Sequence, residues 1–151
     1  MVQYDREVHV DFTCVKGDIS RRFARIDFII QMSGVVFALE VDEHAHFDPD
    51  YDCDLRRMFD VYSSLLESIK GKPMVWIRYN PDKFTKDGIK QDIPRKKRME
   101  KILMFMTKFQ SSGKPMEIVY MFYSVDENEN PTIWSQPNFG ADVLHICKSV
   151  I

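Results

Sequence analysis

The sequence predicts an α/β domain around a mixed sheet, and three observations carry that expectation. Two apolar-rich segments separated only by Ser33-Gly34 read as a hairpin. A long stripe of apolar residues at helical spacing follows them. Short apolar runs bounded by Pro or Asn-Pro then alternate with a second helical stripe. The expected order is β-β-β-α-β-α-β, in a single domain spanning residues 1–151.

From Glu7 to Val15 the pattern alternates, with Val8, Val10, Phe12 and Cys14 on one side, and Lys16-Gly17-Asp18 ends it. A second strand is expected from Phe23 to Met32 and a third from Val35 to Asp42. Asp48-Pro49 has the form of an N-cap and a first-turn proline, and Leu55, Met58, Phe59, Tyr62, Leu65, Leu66 and Ile69 form one face of a helix ending before Gly71. The run Met74 to Tyr79, closed by Asn80-Pro81, is too short for a helix and reads as a buried strand. A second helix is expected from Arg95 to Gln110 with Met99, Ile102, Leu103, Met106 and Phe109 facing inward, followed by a buried strand from Met116 to Tyr123. From Val125 to Ile151 only a polar turn at Asp126 to Pro131 and a short apolar end are legible.

With 44% hydrophobic residues and few Gly and Pro, the chain can bury a substantial core. A formal net charge of −2 excludes the bulk basicity that marks many nucleic-acid binders. Cys14, Cys53 and Cys147 are odd in number and far apart, which suits neither a disulfide framework nor a zinc knuckle. Reduced thiols, and hence an intracellular setting in cytoplasm or nucleus rather than secretion, are expected. The charged N-terminus lacks a signal-peptide core, and the longest apolar stretch falls short of the roughly 20 residues that span a bilayer. No glycine-rich phosphate loop, G-x-S-x-G elbow or Cys-His nucleophile arrangement is present.

The hairpin carries the sharpest chemical inference. A loop at Ser33-Gly34 pairs Ile30 with Phe37, Phe28 with Leu39 and Asp27 with Glu40. One face is then apolar, from Ile26, Phe28, Ile30 and Met32 to Val35, Phe37, Leu39 and Val41, and the other gathers Arg25, Asp27, Glu40 and Asp42 at one end. Opposed carboxylates about 5 Å apart repel by roughly 3 kcal/mol at an effective dielectric near 20. Protonation, screening by Arg25, or a divalent cation would relieve this, and hard oxygen ligands suit Mg2+ or Mn2+. An exposed strand end with solvated acids partly paired to Arg25 explains the same pattern. His44 and His46 lie just beyond, and a histidine near a metal-bound phosphate can move a proton near neutrality. Asp48, Asp50, Asp52 and Asp54 also suit a helix N-terminus.

Taken together, Arg25-Ile26-Asp27, the run Leu39 to His46, the run Tyr51 to Met58, and Ile77-Arg78-Tyr79-Asn80-Pro81-Asp82 resemble the PD-(D/E)xK (restriction-endonuclease-like) nuclease superfamily. The nearest branch holds the very-short-patch-repair endonucleases and domains with an E-x-D-x-x-x-H signature, and uncharacterised proteins of large DNA viruses and some algae are also similar. The resemblance spans roughly Gly17 to Asp82. It implies a restriction-endonuclease-like fold and metal-dependent hydrolysis of DNA phosphodiesters. Asp27 and Glu40 match the family's metal ligands, with the Val41 carbonyl completing the coordination; His46 matches the signature histidine, and Asp54 and Arg57 match a D-x-x-R pair. His46 or Asp42 would help move a proton. Asp42 stands at the family's catalytic lysine, so charge stabilisation would fall to the metal, Arg25, Arg57 or a histidine. Ile26 replaces the family's proline, and the helix that usually precedes the first strand is missing from this sequence.

Charge is unevenly distributed. From Lys83 to Lys101 eight basic residues stand against three acids, a local net of +5, whereas Glu40 to Asp60 carries −6. Lys83, Lys86, Lys90, Arg95, Lys96, Lys97 and Arg98, with Arg25, are the candidate phosphate contacts given the acidic cluster nearby; the alternative is a solvated loop and helix start. The resemblance, with this polarity beside it, implies an Mg2+- or Mn2+-dependent endonuclease or nickase acting on DNA, with no membrane partner expected. The rival is a non-catalytic module that keeps the fold and binds DNA or a protein. A homodimer is an admissible assembly for either.

Overall fold

The computed structural model describes residues 2–11, 23–43, 51–124 and 143–148, with side chains described for 2–11, 23–43 and 56–124. In chain order the elements are β1 (Gln3–Asp11), β2 (Phe23–Gln31), β3 (Val36–Val41), α1 (Tyr51–Leu65), β4 (Met74–Tyr79), β5 (Phe84–Lys86), β6 (Ile89–Gln91), α2 (Arg95–Lys108), β7 (Met116–Met121) and β8 (Val143–Lys148). Six of the strands form one mixed sheet in the order β1-β2-β3-β4-β7-β8. The first three are antiparallel, and β3, β4, β7 and β8 run parallel. Parallel neighbours cannot be joined by a tight turn, so α1 connects β3 to β4, and β5, β6 and α2 lie between β4 and β7.

The β2–β3 register is the expected one: Phe28 opposes Leu39, Ile30 opposes Phe37 and Gln31 opposes Val36. Met32 N–H donates to the Val35 carbonyl at 3.0 Å, which closes the loop at Ser33-Gly34. Phe37 and Leu39 join Val75, Ile77, Ile102 and Met106 on one side of the sheet, with Phe28, Ile30, Met32 and Val35 packed against them. Ile29, Val36 and Ala38 meet Met58, Val61 and Trp76 on the other. Both faces are therefore covered, as parallel sheets require.

One expectation about the hairpin is corrected. Ile26 does not share the face of Phe28; it packs with Val10, Ala24 and Ile29 on the α1 side. Positions on the α1 side shift from even numbers, Ala24 and Ile26, to odd, Ile29, across Asp27, so the two-residue alternation breaks there. Asp27 and Glu7 both drop out of the β1–β2 ladder, between the pairs Arg6–Phe28 and Val8–Ile26, and Glu7 has a φ of 50°. A left-handed residue in one strand turns the local ribbon and releases its neighbour from regular pairing.

α1 lays Met58 and Val61 on the sheet, with Phe59, Tyr62 and Leu65 partly buried beside them. The expected cap at Asp48-Pro49 lies outside the described residues. After Leu65 the chain tightens into turns that end at Gly71, whose φ of 67° favours glycine. On α2 the inner stripe is Arg98, Ile102 and Met106, with Phe105 and Phe109 partly buried. Met99 and Leu103, expected inside, are 37% and 58% exposed. The inward position one turn before Ile102 belongs to Arg98, because backbone carbonyls below it accept its guanidinium.

Candidate active site at the carboxyl ends of the strands

β3, β4 and β7 are parallel, so their carboxyl ends meet at one edge of the sheet, the usual location of ligand sites in open α/β sheets. Glu40 neighbours Arg78 in the ladder, and Val41 neighbours Tyr79. The β2–β3 ladder ends at Phe28–Leu39. One step further, where the Asp27–Glu40 pair would fall, the Val41 N–H donates to Asp27 Oδ2 at 2.8 Å. The half-buried aspartate thus fastens itself across the point where the strands part.

Glu40 is 9% exposed, and its Oε1 accepts a hydrogen bond from Arg57 Nη2 at 3.0 Å. Burial pushes its carboxyl up to about 6, against the opposing pull of the Arg57 and Arg78 guanidinium groups, and the Asp27 charge pushes the same way as burial. The Asp27–Glu40 repulsion expected from the pairing is thus present, although burial exceeds it as a cause. Arg57 also lies 5.9 Å from the centroid of the buried Trp76 ring, which fixes the guanidinium between an indole and a carboxylate.

Asp42 is differently placed from the expectation. It is 3% exposed, and its Oδ2 and Oδ1 accept from Arg78 Nε at 2.7 Å and Nη2 at 2.9 Å. The Tyr123 hydroxyl also donates to Oδ2. With both oxygens so engaged, Asp42 holds strand ends together. Its backbone N–H donates to the Tyr79 carbonyl at 2.7 Å, extending the parallel ladder by one residue.

Arg25 is also corrected. Its guanidinium pairs with Glu7 on the neighbouring strand, both side chains largely exposed, so it does not screen the two acids. Arg57 and Arg78 are the cations that act on Glu40. His46 lies outside the described residues, as does the Asp54 side chain. Val41 is 37% exposed at the strand end. Lys83, Lys90, Arg95, Lys96 and Lys97 are exposed and Lys86 is partly so, and Lys83 Nζ lies 3.4 Å from Asp92 Oδ2. Arg98 is the exception in the basic run: it is 2% exposed and donates to three backbone carbonyls. Because its donors are committed inside the protein, it is a structural clamp and not a surface phosphate contact.

Sequence reasoning passed over Arg78 and Tyr123. The signal for Arg78 was a cation inside the apolar run Met74 to Tyr79, since a buried charge demands a buried partner. Tyr123 carried no such signal, because its hydroxyl finds Asp42 only through the sheet order.

Two carboxylates are the hard oxygen donors here that a cation of the Mg2+ class would take. Among the described residues Asp27 Oδ1 and Glu40 Oε2 carry no hydrogen bond, and no group of three or more His, Cys, Asp or Glu side chains is placed around a metal position. Mg2+ retains much of its water and commonly takes only one or two protein carboxylates. A cation there would also offset the cost of ionising buried Glu40 beside Asp27. No helix among the described residues is long and apolar enough to cross a membrane. Comparison with protein-family models, with curated proteins and with solved structures gives no match for this chain.

Proposed function

We propose that the chain is a metal-dependent nuclease of the restriction-endonuclease-like type that hydrolyses phosphodiester bonds of DNA, with Asp27 and Glu40 as the carboxylates that hold Mg2+ or Mn2+. The observation that carries this reading is the buried Glu40 carboxyl, pushed up to about 6, beside Asp27 at the parting of β2 and β3. Perturbed carboxylates in such a place are candidates for function. When bound, the cation supplies Lewis-acid polarisation of a phosphoryl oxygen and acidifies the attacking water.

The remaining work belongs to the chain. Arg57 holds Glu40 Oε1 and leaves Oε2 for the cation, and Asp27 uses Oδ2 on the Val41 N–H and leaves Oδ1. The Arg78–Asp42–Tyr123 group fixes the ends of β3, β4 and the segment after β7, so the two acids are held in place before any ligand arrives. His46, two residues beyond His44, remains the proposed proton carrier.

The test is incubation of labelled DNA with Mg2+, Mn2+ or EDTA. Wild type is expected to cleave only with the metal, and Asp27→Asn and Glu40→Gln to abolish cleavage while keeping a folded circular-dichroism spectrum. Cleavage that survives in both variants removes the assignment. The full engagement of Asp42, at the position of the superfamily's lysine, favours one other reading, a module that binds DNA or protein without cutting. Calorimetry with Mn2+ separates the two, because a binding module needs no metal site at the Asp27–Glu40 position.

A further inference from the structure

Four residues beyond β4 the chain forms a second, separate sheet of two short strands, β5 and β6. Its turn is Asp87-Gly88, with φ of 52° and 75°. Two consecutive positive values are those of a type I′ turn, whose twist matches a hairpin. The ladder pairs Phe84 with Gln91, Thr85 with Lys90 and Lys86 with Ile89. Lys86 and Ile89 therefore share one face of the ribbon, and Lys90 lies on the other.

The ribbon's base is pinned from beneath. Arg98 donates through Nη1 to the Asn80 carbonyl at 2.8 Å and the Asp82 carbonyl at 2.7 Å, and through Nε to the Ile93 carbonyl at 2.8 Å. One guanidinium thus ties the segment that enters the hairpin to the segment that leaves it. The same group lies 5.5 Å from the Phe84 ring centroid and 5.3 Å from that of Phe122, and Thr85 N–H donates to Ser124 Oγ at 2.8 Å. The tip is the opposite in character: Ile89 is 66% exposed, and Lys90 is exposed beside it. A fixed base under an open tip that is both cationic and apolar has no role in the core.

We infer that the β5–β6 hairpin is a preformed reading element that enters the major groove of duplex DNA, with Ile89 against thymine methyl groups and Lys86 and Lys90 on the phosphates of the two groove walls. This rests on the reading of the chain as a protein that acts on DNA. The major groove admits a two-stranded ribbon, and the thymine methyl is the apolar feature it displays. Lysines on opposite faces of the ribbon can reach opposite strands. Asp87 at the turn would be repelled by phosphates, but it meets amino donors on cytosine and adenine at the groove floor. The strand preceding the hairpin is β4, next to Glu40, so the reading element leaves the sheet from the edge that carries the acids.

The test is fluorescence anisotropy in EDTA, so that binding is measured without cleavage. The probes are a short mixed-sequence duplex and its counterpart with deoxyuridine in place of thymidine. K86Q/K90Q is expected to weaken binding about tenfold at low salt and to lower the slope of log K against log salt by about 1.8. Ile89→Ser is expected to weaken binding about fourfold with the slope unchanged. Removing the thymine methyls should cost wild type a similar factor and cost Ile89→Ser nothing. Lysine variants that bind with wild-type affinity and slope, or a methyl effect that persists in Ile89→Ser, overturn the inference. Cleavage that proceeds while these variants bind as wild type removes the hairpin's role alone; binding as described without metal-dependent cleavage removes the nuclease reading alone.

Discussion

Glu40 concentrates the electrostatic cost of the site in one side chain. Its carboxyl in the folded protein lies near 6, above the ordinary value of 4.5, so folding favours the protonated form. The associated stability is complete below about 4.5 and is lost as pH rises through 6, leaving a cost of about 2 kcal/mol at neutral pH. Glu40→Gln should therefore stabilise the protein at pH 7 by an amount approaching that figure and leave it little changed at pH 4, as urea titrations at the two values would show. No gain at pH 7 would mean that Arg57 and Arg78 already balance the burial of the charge. Arg78 behaves oppositely. It is 2% exposed and paired through two bonds to Asp42, so Arg78→Met strands a buried carboxylate and should cost about 3–5 kcal/mol in the same titration. Replacing Arg78 and Asp42 together by apolar residues should recover most of that loss.

At the scale of elements, the sequence made the alternating and amphipathic segments legible and hid those defined by partners. β2 and β3 follow from a two-residue period and a single turn signal, and their register follows with them. β4 is visible because Pro73 and Asn80-Pro81 leave room for nothing longer. The β5–β6 hairpin was missed although Asp87-Gly88 announces it; three-residue strands give too little alternation to be noticed amid a lysine-rich stretch. α2 was placed correctly, but its inner face was misjudged, because a cation satisfied by three carbonyls is apolar neither in type nor in pattern. The same reason separates the candidate acids. Asp27 and Glu40 were found from local pairing, whereas the commitment of Asp42 to Arg78 and Tyr123 depends on β4 and β7 lying beside β3. β1 begins at Gln3, earlier than the alternation from Glu7 suggests, since the exposed edge of a sheet needs little apolar pattern.

Across the whole molecule, near-neutral net charge proves to be a sum of separated opposites. Acids gather at the carboxyl edge of β3, and the exposed lysines from Lys83 to Lys97 lie on the hairpin and the first turn of α2. In the proposed nuclease, that separation would let one region hold a polyanionic ligand and the other a cation. The sheet has a further consequence for synthesis. β7 is buried along its whole length, and among the described residues its outer neighbour is β8, residues 143–148. Until residues 143–148 leave the ribosome, β7 presents unpaired N–H and C=O groups along the side that β8 later covers. A chain ending after Ser124 is expected to aggregate on size-exclusion chromatography, and an added peptide of residues 140–151 to suppress the aggregates. β8 would then act as the protein's own guard against self-association during birth.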